Sequence, residues 1–399
     1  MRRTWDEARE GLYATATRLG EALGTRSVGL HDAMGMTLAE PVYSPMPVPH
    51  FDSSAMDGYA VAGPPPWRLL FAEHRGSGTE NLHRRTAVLS PRTACPVLTG
   101  SVLPEGTEGI LRSEHARLEH DSLTPLPGHE VVPGRDMRRT GEELPRGSVL
   151  LPAGQQMGPR QAAHLAACGV DDVTVKETVP VSVALTGNEV IERGVPGPGE
   201  VRDAFAMSLP TILAAWGGTV SACSRLHDDE PAVRDWVSRA PGRLVLVTGG
   251  SGGSGQDFAR RVIEDAAANV IASSVEIRPG HPTLIAELAD GRIVLGLPGN
   301  PLAAYTALYS FAPVALAGLY GRPLPPVRRA RISEALGPLR QRTLRLIPCT
   351  HHEDYLVPLP KVQSHMLSGL AAAEELALIP REGVEAGDVV RSLPLGFST

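Results

Sequence analysis

Lysine is almost absent from this chain, and cysteine is scarce. Lysine occurs only at Lys176 and Lys361, so arginine carries nearly all of the basic charge. The cysteines are far apart and form no paired metal-binding spacing; they are Cys95, Cys168, Cys223 and Cys349. Residues 1–6 also lack the apolar core of a signal peptide. These absences predict a reduced, cytoplasmic protein.

Excess basic charge and long apolar runs are lacking as well. The net charge is -6 and the isoelectric point about 6.1, which argues against a broad surface for nucleic acid or an anionic membrane. A local pocket can still bind a small anion. A membrane span requires roughly 18 consecutive apolar residues, whereas the stretch 303–319 is interrupted by Tyr305, Thr306, Ser310 and Pro313. We therefore expect a soluble protein that contacts neither nucleic acid nor membrane.

The apolar content is nevertheless high enough for several hydrophobic cores. The chain has 399 residues, of which 42% are hydrophobic, and this length favours more than one domain. The pattern predicts an α/β and β multidomain protein. Its domains are a scaffold at 1–44 plus 137–176, an inserted small β domain at 45–136, an α/β domain with a parallel sheet at 177–323, and a C-terminal β domain at 324–399. Within the scaffold, 4–23 has helical spacing and 25–38 is predicted to be a second amphipathic turn or short helix.

Strand and helix patterns alternate between Val181 and Leu316, which is typical of a parallel α/β sheet. Ligands of such sheets bind at the carboxyl ends of the strands. Four polar turns fall at that edge, at 186–189, 228–230, 248–257 and 296–301. Their convergence favours a common ligand site more strongly than any one turn does.

The turn at 248–257 is rich in glycine and stands between an apolar strand and a predicted helix. Glycine allows close approach of backbone N–H groups, and a helix N-terminus attracts anions, so this turn is predicted to bind a phosphate. The turn matches neither the Walker loop nor the dinucleotide fingerprint. The alternative is a flexible connection in which Asp257 only caps the helix.

The other turns carry candidate residues that each have a structural alternative. Pro298 and Asn300 stand at a second helix start, where Asn300 either contacts the ligand or caps the helix. Asp228 is a candidate magnesium ligand together with Asp257, or caps the helix that follows it. Glu189 is expected at the same sheet edge.

Two further segments combine residue types that bind anions or metals. Arg278 and His281 lie in a proline-rich loop that either directs them at an anion or faces solvent as a turn. Cys349, His351 and His352 include metal-ligand types, but their spacing is cramped and no second cluster completes a coordination set. A surface turn after a strand is the favoured interpretation of the second segment.

The segment from Phe51 to Val61 has the composition of a functional edge. It follows Pro45, Pro47 and Pro49, which cannot sustain a helix or a central strand. It is therefore predicted to be an ordered loop that leads into a short strand, with the Asp57 carboxylate free at a turn.

Taken in order, these motifs resemble the MoeA/gephyrin-E family of molybdopterin molybdenumtransferases over nearly the whole chain. The motifs are 51–60, 98–100 with 104–106, 186–189, 228–229, the glycine-rich turn and 296–301. The resemblance implies an elongated homodimer of four-domain subunits, with a molybdopterin-binding α/β domain and a site shared between subunits.

The resemblance also implies a reaction. The substrates would be adenylylated molybdopterin and molybdate, and magnesium would assist hydrolysis of the adenylate as molybdenum is inserted and AMP released. The finished cofactor would pass to molybdoenzymes, so transient contact with these or with other cofactor-synthesis proteins is expected.

The family's functional residues are carried over by position. Asp57 and Thr99 would come from the second subunit, and Arg345 and Ser364 would close the cleft from the C-terminal domain. The resemblance therefore implies catalytic roles for Asp57, Glu189, Asp228 and Asp257, metal binding by Asp228 and Asp257, and substrate binding by Thr99, Gly250, Ser251, Ser254, Arg278, His281, Pro298, Asn300, Arg345 and Ser364.

The chain departs from the family pattern in four places. Arg278 and His281 replace two lysines, Asn188 replaces an aspartate, Phe205 replaces an asparagine, and the glycine-rich turn is one residue shorter. One alternative is therefore a catalytically weakened paralogue that binds molybdopterin or molybdenum cofactor as a carrier or scaffold. A second is a dimeric scaffold with no pterin role. Ligand binding without AMP release would select the first, and absence of saturable pterin binding the second.

Overall fold

The computed structural model describes residues 1–70, 88–249, 258–339 and 343–396. The N-terminal part contains β1 (Arg2–Arg3), α1 (Trp5–Gly20), β2 (Thr25–Gly29), β3 (Val42–Tyr43) and β4 (Ser53–Ser54). Helix α1 begins with a capping box, because the Thr4 hydroxyl accepts from the Glu7 N–H and the Glu7 carboxylate accepts from the Thr4 N–H. The capping box fixes where the first helix starts.

The next part is a six-stranded sheet. Its strands are β5 (Gly58–Ala62), β6 (Trp67–Leu69), β7 (Thr93–Val97), β8 (Gly109–Arg112), β9 (Ala116–Glu119) and β10 (Ser122–Pro125), in the spatial order β8-β5-β7-β6-β10-β9. Apolar side chains pack on both faces, around Ile110 on one and Trp67 on the other. The chain then returns to the N-terminal part with β11 (Met137–Arg138), β12 (Val149–Leu151), α2 (Pro159–Ala167) and β13 (Asp172–Lys176).

The return segment corrects part of the prediction for 25–38, which was an amphipathic turn or short helix. Residues 25–29 form strand β2, which pairs antiparallel with β13, and only residues 30–35 form the predicted turn. Val28, Leu30 and Met36 pack against a small core that includes Leu165. Pairing with a strand almost 150 residues later in the chain decides the conformation, and helical spacing cannot report such a partner.

The third part is the α/β domain. It contains β14 (Val179–Thr186), β15 (Val190–Ile191), β16 (Val201–Arg202), α3 (Leu209–Ala215), β17 (Gly218–Leu226), α4 (Glu230–Arg239), β18 (Leu244–Thr248), α5 (Phe258–Ala266), β19 (Ala267–Ala272), β20 (Ser274–Val275), β21 (Ile277–Arg278), β22 (Leu284–Leu288), β23 (Ile293–Leu297) and α6 (Pro301–Tyr320). The main sheet has the order β17-β14-β18-β23-β22-β19. The first four strands are parallel, as predicted, and β22 pairs antiparallel with both β23 and β19.

The fourth part is a closed ring of strands. It contains β24 (Arg328–Ile332), β25 (Leu344–His352), β26 (Tyr355–Pro358), α7 (Ser368–Ala372), β27 (Glu375–Ile379) and β28 (Val389–Pro394). The order is β25-β26-β24-β28-β27, and an additional β27–β25 pairing closes the ring. Strand β21 of the α/β part joins the outside of this ring through β25. The α/β and β multidomain fold class is thus confirmed.

Helix α6 is the centre of the largest apolar core. It is long and apolar enough to cross a membrane by length and composition alone, but 89% of its most apolar window is buried inside the protein, as expected of a core helix. Helix α1 packs along it: Trp5 Nε1 donates to Ser310 Oγ, and Arg9 donates to the Ser310 carbonyl and to the Pro325 carbonyl. The α6 helix ends at Gly321, whose φ of 69° is the left-handed geometry of a C-cap. This core fixes the sheet edge at which the site lies.

Candidate functional site

A cavity of about 660 Å³ opens at the carboxyl ends of the parallel strands. Its walls include Thr186 at the end of β14, Asp228 after β17, Thr248 at the end of β18 with Gly249 following it, and Asn300 after β23. Strands β14, β18 and β23 are mostly buried and apolar and turn polar at this edge, and their adjacent positions in the sheet bring these residues together. The cavity is large enough for a substrate of cofactor size.

Three predicted site residues line this cavity: Glu189, Asp228 and Asn300. The turns that carry the first two exchange hydrogen bonds. The Asn188 backbone N–H donates to Asp228 Oδ2 at 3.2 Å, and the Asp228 N–H donates to Asn188 Oδ1 at 3.2 Å. Asn188 Oδ1 also lies 3.2 Å from His227 Nδ1. Asn188 therefore connects the end of β14 to the end of β17 and orients Asp228.

Two carboxylate groups remain available in the cavity. Within the described part of the chain, Asp228 Oδ1 and the Glu189 carboxylate take part in no hydrogen bond or ion pair. Both residues are exposed, so they are hydrated in the free protein. Acceptor oxygens on neighbouring strand ends can bind a hard cation or a donor group of a ligand.

The structure decides two of the alternatives on helix starts. Asp228 is not the cap of α4, since Asp229 is the N-cap and its side chain accepts from the Ala232 N–H at 3.1 Å. Asn300 has the N-cap position of α6, but its side chain makes no capping hydrogen bond and lines the cavity instead. Among the described residues, Asp228 Oδ1 and the Asn300 carboxamide therefore have no hydrogen-bond partner and can contact a ligand.

Another wall of the cavity is built by Asp203, Phe205 and Arg225. Asp203 is a buried carboxylate, with a side chain 6% exposed. Its Oδ1 accepts from the N–H groups of Phe205 at 2.7 Å and Ala206 at 3.1 Å, and its Oδ2 pairs with Arg225 Nη2. Arg225 Nε also lies 3.4 Å from Glu192 Oε1. Arg225 therefore fastens the segment 190–205 to the end of β17.

Two predicted arginines form a cationic pair between the α/β part and the strand ring. Arg278 on β21 and Arg345 on β25 are register partners in parallel strands. Burial, with a smaller contribution from the charge of Arg278, lowers the pKa of Arg345. Arg345 Nε is buried and has no hydrogen-bond partner among the described residues. Two neighbouring cations with an unused donor are suited to bind an anion.

His281 and Ser364 are two further predicted site residues. His281 Nδ1 lies 2.8 Å from the Val275 carbonyl, so this nitrogen donates and the ring is held in place. The Ser364 carbonyl accepts from the Ala303 N–H at 3.2 Å, in the first turn of α6. His365 and Leu367, which follow Ser364, line the cavity. The connection between β26 and α7 of the strand ring therefore reaches the α/β cavity. Five other predicted residues do not line the cavity: Pro298, Arg278, His281, Arg345 and Ser364.

Asp57 and Thr99 contact each other in the six-stranded part, so the prediction of a free Asp57 carboxylate is wrong. Asp57 Oδ1 accepts from the Thr99 N–H at 2.7 Å and from the Thr99 hydroxyl at 2.8 Å. These hydrogen bonds, the backbone one first, lower the pKa of Asp57. Neither residue lines the α/β cavity. The pair presents an ionised carboxylate at the surface, since both residues are exposed.

Several predictions fall outside the described residues or concern metals. Gly250, Ser251, Ser254 and Asp257 lie outside the described residues. Among the residues that are described, no group of three or more histidine, cysteine or acidic side chains is arranged to hold a metal ion. Cys349, His351 and His352 belong to strand β25 rather than a surface turn; Cys349 is fully buried and His351 Nε2 lies 3.1 Å from Glu375 Oε1.

Three lining residues were not predicted from the sequence: Asp203, Arg225 and His365. The signal for Arg225 is a charged residue at the carboxyl end of a strand, where the other strands also turn polar. Asp203 precedes a helix by six positions and caps the turn before it, so no standard capping spacing reveals it. His365 comes from a distant segment, and only the tertiary structure brings it to this edge.

Comparison with known proteins adds two family matches and several close relatives. The model "MoeA N-terminal region (domain I and II)" matches residues 3–169, and "Probable molybdopterin binding domain" matches residues 182–317. The chain is 30% identical to molybdopterin molybdenumtransferase of Haemophilus influenzae over 311 residues, or 75% of this chain and 74% of the relative. It is 30% identical to molybdopterin molybdenumtransferase 2 of Mycobacterium tuberculosis over 381 residues, or 90% of this chain and 92% of the relative.

A solved structure supports the fold over the whole length. The molybdopterin biosynthesis moeA protein from Pyrococcus horikoshii OT3 superimposes with a TM-score of 0.77 and 23% sequence identity, covering 98% of this chain and 100% of that one. At this identity the likeness concerns the arrangement of the four parts. The cavity lies within the segment that matches the molybdopterin binding model, apart from the contribution of His365 and Leu367.

Proposed function

Because this chain belongs to the MoeA family of molybdopterin molybdenumtransferases, we propose that it inserts molybdate into adenylylated molybdopterin and releases AMP in a magnesium-dependent reaction. Membership makes it a transferase of molybdenum cofactor biosynthesis. The observation that carries the finer proposal is the convergence of Glu189, Asp228 and Asn300 on one cavity at the carboxyl edge of the parallel sheet. A non-catalytic carrier or scaffold is not favoured by the comparisons.

Asp228 fits the requirements of magnesium binding. Magnesium is usually held by one or two carboxylates together with substrate phosphate and water. Asp228 is oriented through Oδ2 by the Asn188 N–H, which leaves Oδ1 directed to other partners. Asp257 is proposed as the second carboxylate. A bound magnesium ion would neutralise charge on the phosphoanhydride, while Asn300 and Glu189 would orient the substrate from neighbouring strand ends.

The arginine pair supports binding of molybdate. Molybdate is a dianion, and Arg278 with Arg345 would provide two fixed cations whose mutual repulsion the bound anion relieves. His281 and Ser364 are proposed to complete this subsite, and the glycine-rich turn with Gly250, Ser251 and Ser254 to bind the phosphate. Orientation of both substrates in a shared cleft accounts for the part of the rate acceleration that proximity supplies.

The assembly and location of the protein are part of the proposal. We place the domain boundaries at 1–44 plus 137–176, 45–136, 177–323 and 324–399. A homodimer would bring the Asp57–Thr99 pair of one subunit to the cavity of the other. None of the four cysteines, all of which lie in the described residues, forms a disulfide, which is consistent with a cytoplasmic enzyme. Transient contact with molybdoenzymes or other cofactor-synthesis proteins would deliver the product.

The decisive experiment is AMP release from adenylylated molybdopterin by the purified protein, with magnesium, in the presence and absence of molybdate. We expect molybdate-dependent release together with active molybdenum cofactor. Tight binding of the substrate without release would contradict the proposal and support the carrier alternative.

A pair of neighbouring aspartates provides a matched variant and control. Asp228→Asn keeps the shape but removes the charge, so we expect loss of magnesium-dependent AMP release with the thermal unfolding temperature unchanged. Asp229→Asn retains an effective helix cap and lies outside the cavity, so turnover should stay near that of the unaltered protein. Equal turnover by both variants would refute the role of Asp228.

Subunit mixing tests the shared site. Asp57→Asn and Asp228→Asn homodimers should each be inactive, and mixed dimers should contain one cavity in which both carboxylates are intact. Partial recovery of AMP release after mixing is therefore expected. Absence of recovery, when mass spectrometry confirms that subunits have exchanged, would contradict a site shared between subunits.

A further inference from the structure

The proposed function assigns no role to the cavity wall that carries Phe205. Phe205 is half-buried: it packs against the main core and also faces the cavity. Among the described lining residues it is the only phenyl ring, and the cavity lining also includes the aliphatic residues Val190, Val201 and Leu367. The cavity thus combines apolar side chains with the polar strand ends.

A second aromatic side chain, Tyr305, packs against the Phe205 ring. The Phe205 and Tyr305 ring centroids are 5.6 Å apart, with an angle of 40° between the planes. Tyr305 is 7% exposed, and its hydroxyl donates to the Ala204 carbonyl at 2.6 Å and meets Ser208 Oγ. Tyr305 is therefore fixed in the α6 helix and limits the positions that the Phe205 ring can adopt.

The backbone of Phe205 is fixed as well. Its N–H donates to Asp203 Oδ1 at 2.7 Å, and Asp203 is in turn paired with Arg225. A ring that is immobilised before binding loses little conformational entropy when a ligand packs on it. Such a rigid, partly exposed aromatic face is suited to stack on a flat ring, whereas a residue that only fills the core needs no face toward the cavity.

We propose that Phe205 is the stacking surface for a planar nitrogen heterocycle of the substrate. This inference rests on the proposed function, since adenylylated molybdopterin carries two such rings, the pterin and the adenine. Both have a π-face that stacks on phenyl, and the polar groups of Glu189, Asp228 and Asn300 line the same cavity. Phe205 determines specificity here by favouring flat ligands, and it takes no part in bond making.

The test measures binding of two ring probes to the full-length protein. Pterin-6-carboxylate and AMP are titrated separately by calorimetry into the unaltered protein, Phe205→Leu and Phe205→Trp. Phe205→Leu removes the aromatic stacking partner and is expected to lower the affinity for one of the two probes about 5- to 150-fold. Phe205→Trp keeps an aromatic face and should retain most of the affinity. The probe whose affinity decreases contains the ring that stacks on Phe205.

Tyr309, one turn after Tyr305 in helix α6, provides a matched control. Like Phe205 it is half-buried and aromatic, but it packs edge-on to Trp216 and does not line the cavity. Tyr309→Leu should leave the affinity of both probes unchanged. Unweakened binding of both probes to Phe205→Leu, or equal weakening in Tyr309→Leu, would overturn the inference while leaving the proposed function intact. Failure of the unaltered protein to bind either probe would contradict the proposed function and the inference with it.

Discussion

Asp203 is expected to be the principal support of the cavity wall, and Asp203→Asn tests this. The substitution preserves the oxygen that accepts from the Phe205 and Ala206 N–H groups, if the carboxamide places its oxygen there. It replaces the oxygen that faces Arg225 with an NH₂ donor. The guanidinium then meets a donor in a site where the Asp203 side chain is 6% exposed.

The magnitude follows from the burial of the two partners. Removing one partner of a fully buried ion pair costs about 3–5 kcal/mol. The Arg225 side chain is 24% exposed and keeps Glu192 as a neighbour, so part of its hydration and charge pairing survives and we expect about 2–3 kcal/mol. For a cooperative unit of the size of the α/β part, each kcal/mol lowers Tm by about 2–4 °C. The expected decrease in Tm is therefore about 4–12 °C.

Differential scanning calorimetry with two companion variants measures this. Glu192→Gln removes only a contact in which the Glu192 side chain is 72% exposed, so its cost should stay below about 1 kcal/mol. Arg225→Met removes the charge that Asp203→Asn leaves unpaired, so the double variant should be less destabilised than the sum of the single variants by about 1–2 kcal/mol. A Tm for Asp203→Asn close to that of Glu192→Gln, or strict additivity, would refute the assigned ion pair.

Three other predictions concern separate parts of the chain. Thr99→Val removes a hydroxyl donor, so the pKa of Asp57 should rise in a carbon-13 NMR titration, with Thr99→Ser unchanged; because the native pKa is lowered, the stabilisation is present above the unfolded pKa and is lost as pH falls through the native value. Burial raises the pKa of Cys349 to about 12, so iodoacetamide should label this thiol only after unfolding, as peptide mass spectrometry can show. The contribution of the protonated thiol to the free energy of unfolding is complete below the unfolded pKa and is lost as pH rises through the native pKa. Gly318→Ala would place a Cβ 2.6 Å from a side chain of α1 and should cost about 1–3 kcal/mol in urea unfolding, whereas Gly337→Ala meets no atom within 4 Å and should cost less.

The parallel part of the fold is predictable because its strands are buried on both faces. Strands β18 and β23 are uninterrupted apolar runs, and every residue of both is buried. By contrast, β19 was not predicted, since the alanine-rich sequence 266–268 continues the helical pattern of α5. Its conformation is decided by antiparallel pairing with β22. Local pattern reports burial, and it does not report which distant strand supplies the hydrogen bonds.

The same distinction applies to the candidate site. The rule that polar turns meet at the carboxyl edge correctly brings together Glu189, Asp228 and Asn300. The exchange of hydrogen bonds between Asn188 and Asp228 depends on the reach of one carboxamide, which spacing along the chain does not give. The cationic pair of Arg278 and Arg345 is another such case: the resemblance implied each residue, but their register pairing requires a strand from each of two domains.

The short segment 274–278 has a consequence for the order of folding. Its first half, β20, pairs with β1, and its second half, β21, pairs with β25, so its partners lie about 270 residues earlier and about 70 residues later in the chain. During synthesis the main sheet can form once residue 297 has emerged, since all its strands precede that point. Arg278 acquires its neighbour only after β25 is made, and long-range pairings form slowly. The Arg278–Arg345 pair is thus completed late, and a nascent chain gains its main sheet before it gains these neighbouring cations.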